Sequence, residues 1–521
     1  FGSPGSLGFE ERSIGRWASV PFQAFTGGLV DFHVVADHIA GIAYVDFSLD
    51  GGPWMRVSEE AWIDGLQSDA FVATVDVDAL EKGVHEIRAI VVPHAGDARV
   101  LQGEISHEFQ PPYESSARTG EHSMFLSAVR SEDRRVVHVS NDGSDEAGIG
   151  TAQSPYRTIA HAAWIGLGGG VVGADVSHCR ILLHAGTYQA DGFGWPKSSL
   201  AADEGWFTIA AADPADPPTL LGPGSRMPFR CLAVENVVLD TRGLAGGHVL
   251  DGHTDARLRI DSCTLEGGFN VVAGFRLGFN GGVWAEDSLA RDVHDTPFGN
   301  VFAARCRIEG VLVDAFRSRA LFDCVVTRQW EGQTTELSDP HPDVYQIWHA
   351  DGFIDNVVIR GLEATDHVFA QGLFFSGHTV DFDGCEFVSN RTGEGGGTVY
   401  IEGGPATLRD CDFTNNASVA PGGGLGIRFN VAPTLVERCT FTDNTAAFGG
   451  GLAIGDSNVE VVDCDFRGNR AVGFKEEFPA QGGGIYVENV GSTTIAIRGC
   501  SILNNVSDDL GGGVHVDFTR P

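Results

Sequence analysis

Between Asp339 and Asp351 the chain reads Asp-Pro-His-Pro-Asp-Val-Tyr-Gln-Ile-Trp-His-Ala-Asp, and Asp366-His367 follows shortly after. Carboxylates and imidazoles in such a run are the groups that take up and deliver protons. Asp339, Asp343 and Asp366 supply the proton donor and the second carboxylate that hydrolysis of a glycosidic bond requires. Elimination from a uronate, or its epimerisation at C5, needs a base, an acid and a cation near the sugar carboxylate. His341 or His349 fits the base and Arg317 or Arg319 the cation. Between Arg317 and Arg360 seven acidic residues stand against four arginines, which weighs against a polyanionic substrate.

Spacing ties these residues together. His341 precedes Asp366 by 25 residues, and Gln346 precedes Gln371 by the same interval. Asp343 follows Asp314 by 29, and Gln346 follows Arg317 by 29. In a chain that winds in coils of about this length, such residues stack. With Tyr345 and Ile347 facing inward, alternation sends Gln346 and Trp348 outward. The expected outer column is Arg317, Gln346 and Gln371, with Arg319 also outward and His341, Asp343 and Asp366 at its edge. Trp330, in the loop 329–338, would overhang it. The same residues have plainer uses: His341-Pro342 shapes a loop, Asp343 caps a corner, and Gln346 with Gln371 makes an amide ladder.

The coil itself is legible downstream. Five times a cysteine is followed five residues later by an asparagine and then by a glycine triplet. The cysteines are Cys385, Cys411, Cys439, Cys464 and Cys500, at intervals of 26, 28, 25 and 36. A phrase repeated at 20–50 residues marks stacked units. A short strand follows each triplet and another ends at each cysteine. Such strands bury an apolar face only by stacking on neighbours. Asn and Gly suit left-handed corners. The expected fold is all-β: a right-handed parallel β-helix over 134–521 of about a dozen coils, roughly 60 Å long at one rung per 4.8 Å. The cysteines are expected to form a buried column of thiols.

Composition narrows the class. Asp plus Glu number 70 against 35 Lys plus Arg, a formal charge of −35. That disfavours nucleic acid and anionic membrane as partners. No apolar run of 18 residues occurs, so no membrane-spanning helix is expected.

Upstream, residues 1–17 read as a processed end or linker and 18–110 as a β-sandwich of short alternating strands. Residues 111–133 read as a linker. "SLDGGPW" followed by "LEKGVHEIRAIV" resembles bacterial immunoglobulin-like or fibronectin-like modules attached to extracellular enzymes. Next comes "VHVSNDGSD", then "SPYRTIAHA" and "ILLHAGTY". This succession resembles the opening of right-handed β-helix proteins of the pectate-lyase-like superfamily. It implies a capping helix near 155–165 that shields the open end of the solenoid. The loop Asn141–Asp145 reads as a solvated loop, with Ca2+ open as a ligand and no other cofactor indicated.

"DPH" at Asp339–His341 is similar to a motif of mannuronan epimerases, which implies acid/base roles for Asp339 and His341. The aromatic-glycine pair expected before it is replaced by Glu336-Leu337-Ser338. The C-terminal coils resemble those of polymorphic outer-membrane and autotransporter passenger proteins. Three readings therefore stand open: a secreted or surface enzyme that binds and cleaves a polysaccharide, as lyase or glycoside hydrolase; a non-catalytic adhesin or structural protein; and a polyuronate C5-epimerase. A further domain or partner is expected beyond the last coil.

Overall fold

A computed structural model of the chain describes residues 13–19, 23–25, 27–101, 123–128, 135–166, 178–190, 206–222, 231–242, 250, 257–267, 283–293, 302–311, 314–316, 320–327, 343–347, 357–369, 372–393, 396–430, 432–473, 479–488 and 493–517. Among these residues the chain winds through four parallel sheets, one rung per coil. Sheet A has 14 strands, from Arg135–Val139 to Ile495–Arg498, and sheet B has 13, from Thr187–Gln189 to Ser501–Leu503. Sheet C has eight, from Asp314–Phe316 to Val514–Asp517. Sheet D has six two-residue strands, from Val368–Phe369 to Val506–Ser507.

The corner from sheet A to sheet B shows how sequence sets the coil. Eleven successive coils place one residue there at φ between 48° and 65°: Asn236, Ser262, Asp287, Arg305, Asp323, Gly361, Gly384, Asp410, Arg438, Asp463 and Gly499. Small polar residues and glycine dominate because this region is costly for other side chains. The next residue points inward, and from Cys385 on it is always cysteine. Cys411 shows the fit: its thiol donates to the Arg409 carbonyl at 3.1 Å across the bend. Cys179 and the eight cysteines from Cys263 to Cys500 are free, and burial pushes the Cys263 thiol up to about 12. The expected thiol column is present.

The repeated asparagines do something other than adopt the left-handed backbone. At the corner after sheet B that conformation falls to the preceding residue: Ser389, Asn415, Asp443, Gly468 or Asn504. Asn390, Asn416, Asn444 and Asn469 turn inward instead and form an amide ladder. Each Nδ2 donates to the next Oδ1 at 2.9–3.0 Å and to a core carbonyl at 2.7–2.9 Å. His367 heads the column, its backbone N–H donating to Asn390 Oδ1. Beside the ladder, Phe387, Phe413, Phe441 and Phe466 stack with ring centroids 4.6–5.0 Å apart.

The glycine triplets follow from proximity. A Cβ on Gly450 would lie 2.6 Å from both N and O of Arg470 and overlap the Gly483 carbonyl. The intervals between cysteines vary, yet register is restored each time. Residues 473–480 lengthen one coil, and Leu452 still pairs with Ile485.

The solenoid is capped by the helix Ile159–Gly166, near the expected 155–165, with Ile159, Ala162 and Ala163 in the core. Upstream, two sheets form the sandwich, antiparallel except where Ser123–Ala128 runs parallel to Gln23–Phe25. One runs Ile14–Trp17, Leu29–Asp37, Ser68–Asp76, Ala61–Ile63; the other contains Gln23–Phe25, Ser123–Ala128, Gly83–Pro93, Ile42–Leu49 and Met55–Val57. Ile14–Trp17 and Ser123–Ala128 thus lie in the sandwich although their sequences read as end and linker.

The sandwich is docked on sheet A. Phe32, Val34 and Ala36 face its own core, while Val35 faces the solenoid. Ile14, Val35, Leu66 and Ala70 pack on Trp284, Phe302, Ala304, Phe322 and Val358, which alternate outward from sheet A.

Candidate functional site

The residues expected to do chemistry divide sharply. Arg317, Arg319, Trp330, Asp339, His341, Trp348, His349 and Gln371 lie outside the described residues. Asp343 begins the sheet C strand Asp343–Ile347 and pairs with Asp314, as the 29-residue interval requires. It is fully buried, however, so it does not stand at a solvent-facing rim. Tyr345 faces the core as expected and stacks on Phe375 at 4.9 Å.

The expected match of Gln346 with Gln371 fails. Gln346 pairs with Phe374, because this coil repeats after 28 residues rather than 25. Asp366 is exposed at the corner after sheet B, at φ 55°, with its N–H on the Val388 carbonyl at 3.0 Å. It belongs to a different corner from Asp343, so no edge joins them. The amide ladder exists, but it is built from asparagines.

The Asn141–Asp145 loop is likewise tied to the fold. Asp145 accepts hydrogen bonds from the N–H groups of Arg157 and Thr158 and from the Thr158 hydroxyl, at 2.8–3.0 Å. Thr158 in turn caps the helix through the N–H of His161. Burial raises the carboxyl's pKa, but the Thr158 and Arg157 hydrogen bonds outweigh it and the net shift is downward. Among the described residues no group of three or more His, Cys, Asp or Glu is placed to hold a metal.

What the coils do bring together lies on the outer face of sheet C. After each glycine triplet the strand alternates in and out, so the register lines up Phe374, Tyr400, Gly426, Ala453, Tyr486 and His515. Beside them run Ser376, Glu402, Arg428, Gly455, Glu488 and Asp517. Phe374 and Tyr400 stack at 5.7 Å and 22°, and Tyr486 stacks on His515 at 6.0 Å. Between the two aromatic steps the wall is lowered to Gly426 and Ala453. Three rungs separate Tyr400 from Tyr486, about 14 Å.

Arg428 stands over this gap. Its guanidinium lies 4.7 Å from the Phe429 ring centroid, and its charge reaches the Tyr400 phenol. Among the described residues it forms no ion pair. Phe429 itself sits at φ 57° and is 44% exposed, where the coil before has Gly403 and the coil after Asp456. Burial, reinforced by Glu488 and Asp517, pushes Tyr486 up to about 12, and burial raises Tyr400 in the same direction. Both phenols remain protonated donors at neutral pH.

Sequence reasoning centred on ionisable tracts missed this wall. Its signal was present: after the triplets at 422, 449, 482 and 511 the second and fourth residues point outward, as in Gly-Gly-Gly-Leu-Gly-Ile-Arg and Gly-Gly-Gly-Ile-Tyr-Val-Glu, and after the triplet at 395, where Thr398 intervenes, the third and fifth do.

Comparison with known proteins gives one positive finding. Residues 346–520 match a family model described as a right handed beta helix region. Comparison with curated proteins and with solved structures gives no match. The matched coils continue sheets A, B and C of the preceding coils, so the chain is a right-handed parallel β-helix preceded by a β-sandwich.

Proposed function

We propose that this protein acts outside the cell or on its surface and binds an extended polysaccharide along the outer face of sheet C. The observation that carries the reading is the in-register row of aromatic rings, interrupted at Gly426 and Ala453. Sugar rings present C–H faces that pack on aromatic side chains and hydroxyl edges that need donors and acceptors. Tyr400, partly exposed, offers the former, with the largely buried rings of Phe374 and Tyr486 backing the wall on either side; Glu402, Arg428, Glu488 and the Tyr400 phenol offer the latter. The periodic wall suits a periodic polymer, which repeats the same contact every few rungs.

Cleavage is the finer part of the proposal. It rests on Asp339, His341 and His349, whose tract flanks the strand Asp343–Ile347 at the start of the same sheet.

Affinity electrophoresis across neutral and acidic glycans tests binding, with Tyr400→Ala and Tyr486→Ala as variants. Loss of retardation in both variants, with unchanged circular dichroism, is the expected result. Retention equal to the parent in both would refute the wall as the binding surface. Reducing-end release and ultraviolet absorbance of unsaturated uronates test turnover. Binding without product in either assay would leave an adhesin.

A further inference from the structure

The contact between sandwich and solenoid changes character along sheet A. Under Ile14, Val35 and Leu66 it is apolar. One coil beyond Val358 the outward position becomes Asp381, which is fully buried. Arg360 donates to Asp381 Oδ2 at 2.6 Å and to Asp383 Oδ2 at 3.0 Å. From the sandwich, Asp37 enters the same cluster and accepts from Arg409 at 2.6 Å through Oδ1. Arg409 also reaches Glu437 at 3.3 Å.

The cluster holds more acid than base. Asp37, Asp381 and Asp383 face Arg360 and Arg409, while Glu60 and Asp69 add negative charge from the sandwich side. On the solenoid side Glu437 and Asp410 are offset by Arg438, which bonds both. Burial lowers the pKa of His38, next to Asp37, and the charge of Asp37 opposes that shift. Two acceptor atoms stand out. Asp381 Oδ1 and Asp37 Oδ2 are both buried without a hydrogen-bond partner among the described residues. One belongs to each domain, and each residue's other oxygen is already taken by an arginine. Two ionised carboxylates left so are costly in a water-poor contact, and Asp37 lies close enough to act on Asp381 through its charge, so a proton on one carboxyl would relieve both the repulsion and an unpaired oxygen.

We propose that the sandwich is fastened to the solenoid by a proton-dependent clamp, in which protonated Asp381 donates to Asp37 across the domain interface. Burial is the main cause that pushes Asp381 up, to about 7; Arg360 opposes it and Asp37 reinforces it. The sign follows. A carboxyl that holds its proton more tightly when docked favours docking below the ordinary carboxylate range. That contribution is lost as pH rises to about 7. Over the interval the docking constant falls about tenfold per pH unit and then levels off. The sandwich therefore sits tightest in mildly acid surroundings and loosens towards neutrality.

The test uses the whole chain between about pH 4.5 and about pH 8. Small-angle scattering reports the separation of the two domains. Amide exchange, corrected for its intrinsic pH dependence, reports protection of the edge strand Ile14–Trp17. The expected result is a progressive loss of that protection in the parent as pH rises. Asp381→Asn and Asp37→Asn each supply a permanent amide donor and should flatten the profile in the docked state. Circular dichroism confirms that each variant is folded. A parent profile that is flat over the range overturns the clamp. So does a slope that persists unchanged in both variants.

Discussion

Replacing Asn444 by alanine removes the middle of the amide ladder, and its cost is open to calculation. The side chain is fully buried. Its Oδ1 accepts from the N–H of Asn416 at 2.9 Å and from Asn416 Nδ2 at 3.0 Å. Its Nδ2 donates to the Phe413 carbonyl at 2.8 Å and to Asn469 Oδ1 at 3.0 Å. Deletion leaves four groups short of a partner. A buried group stripped of its partner costs about 1–3 kcal/mol, but the cavity left by the amide has room for a water that repays part of it. The net expectation is about 3–4 kcal/mol. Asn505, at the end of the ladder and only partly buried, has one rung neighbour and should cost about 1 kcal/mol when truncated. Because solenoids unfold by neighbouring units, the readout should be local. Amide exchange at Ala417 and Thr445, whose N–H groups bond the Asn390 and Asn416 carbonyls, reports those rungs. If Asn444→Ala lowers their protection no more than Asn505→Ala does, the ladder is not what holds this corner.

Other outcomes follow from the same geometry. Gly450→Ala should destabilise by about 2–3 kcal/mol through backbone overlap with the neighbouring coil, read as a lower Tm. Phe429→Gly should raise stability by about 1 kcal/mol, since glycine adopts this corner without strain; no gain in urea midpoint would contradict the strain argument. Asp145→Ala should weaken the cap by about 1 kcal/mol at neutral pH. The net pKa of Asp145 is depressed, so its contribution is present above the ordinary carboxylate range and lost as pH falls through the lowered value. Urea midpoints of parent and variant should therefore converge in strong acid.

The solenoid was readable because its instructions are local and repeated. Each cysteine follows a residue that tolerates left-handed backbone, and each triplet precedes a strand, so five copies announce one geometry. The sandwich boundary was harder. Ile14–Trp17 and Ser123–Ala128 carry no repeat, and their place is decided by pairing with Leu29–Asp37 and Gly83–Pro93. Within the candidate site one interval misleads and one holds. Coil length changes at the loops, so Gln346 meets Phe374 and not Gln371, whereas the 29-residue step pairs Asp314 with Asp343 and Phe316 with Tyr345. Asp366 sits at a corner that selects a small polar residue for backbone reasons, a setting its neighbourhood in the sequence does not announce.

The lengthened coil at 473–480 has a consequence for how such a protein diversifies. From Cys231–Glu235 onward the step from sheet A to sheet B keeps one length, whereas the other connections, those before and after sheet C among them, vary. Length variation is therefore kept out of that corner and falls in the remaining connections of the coil. The molecule resembles a bound book, with a fixed spine and pages of any width on the fore-edge. New specificity could be written there without disturbing a single rung elsewhere.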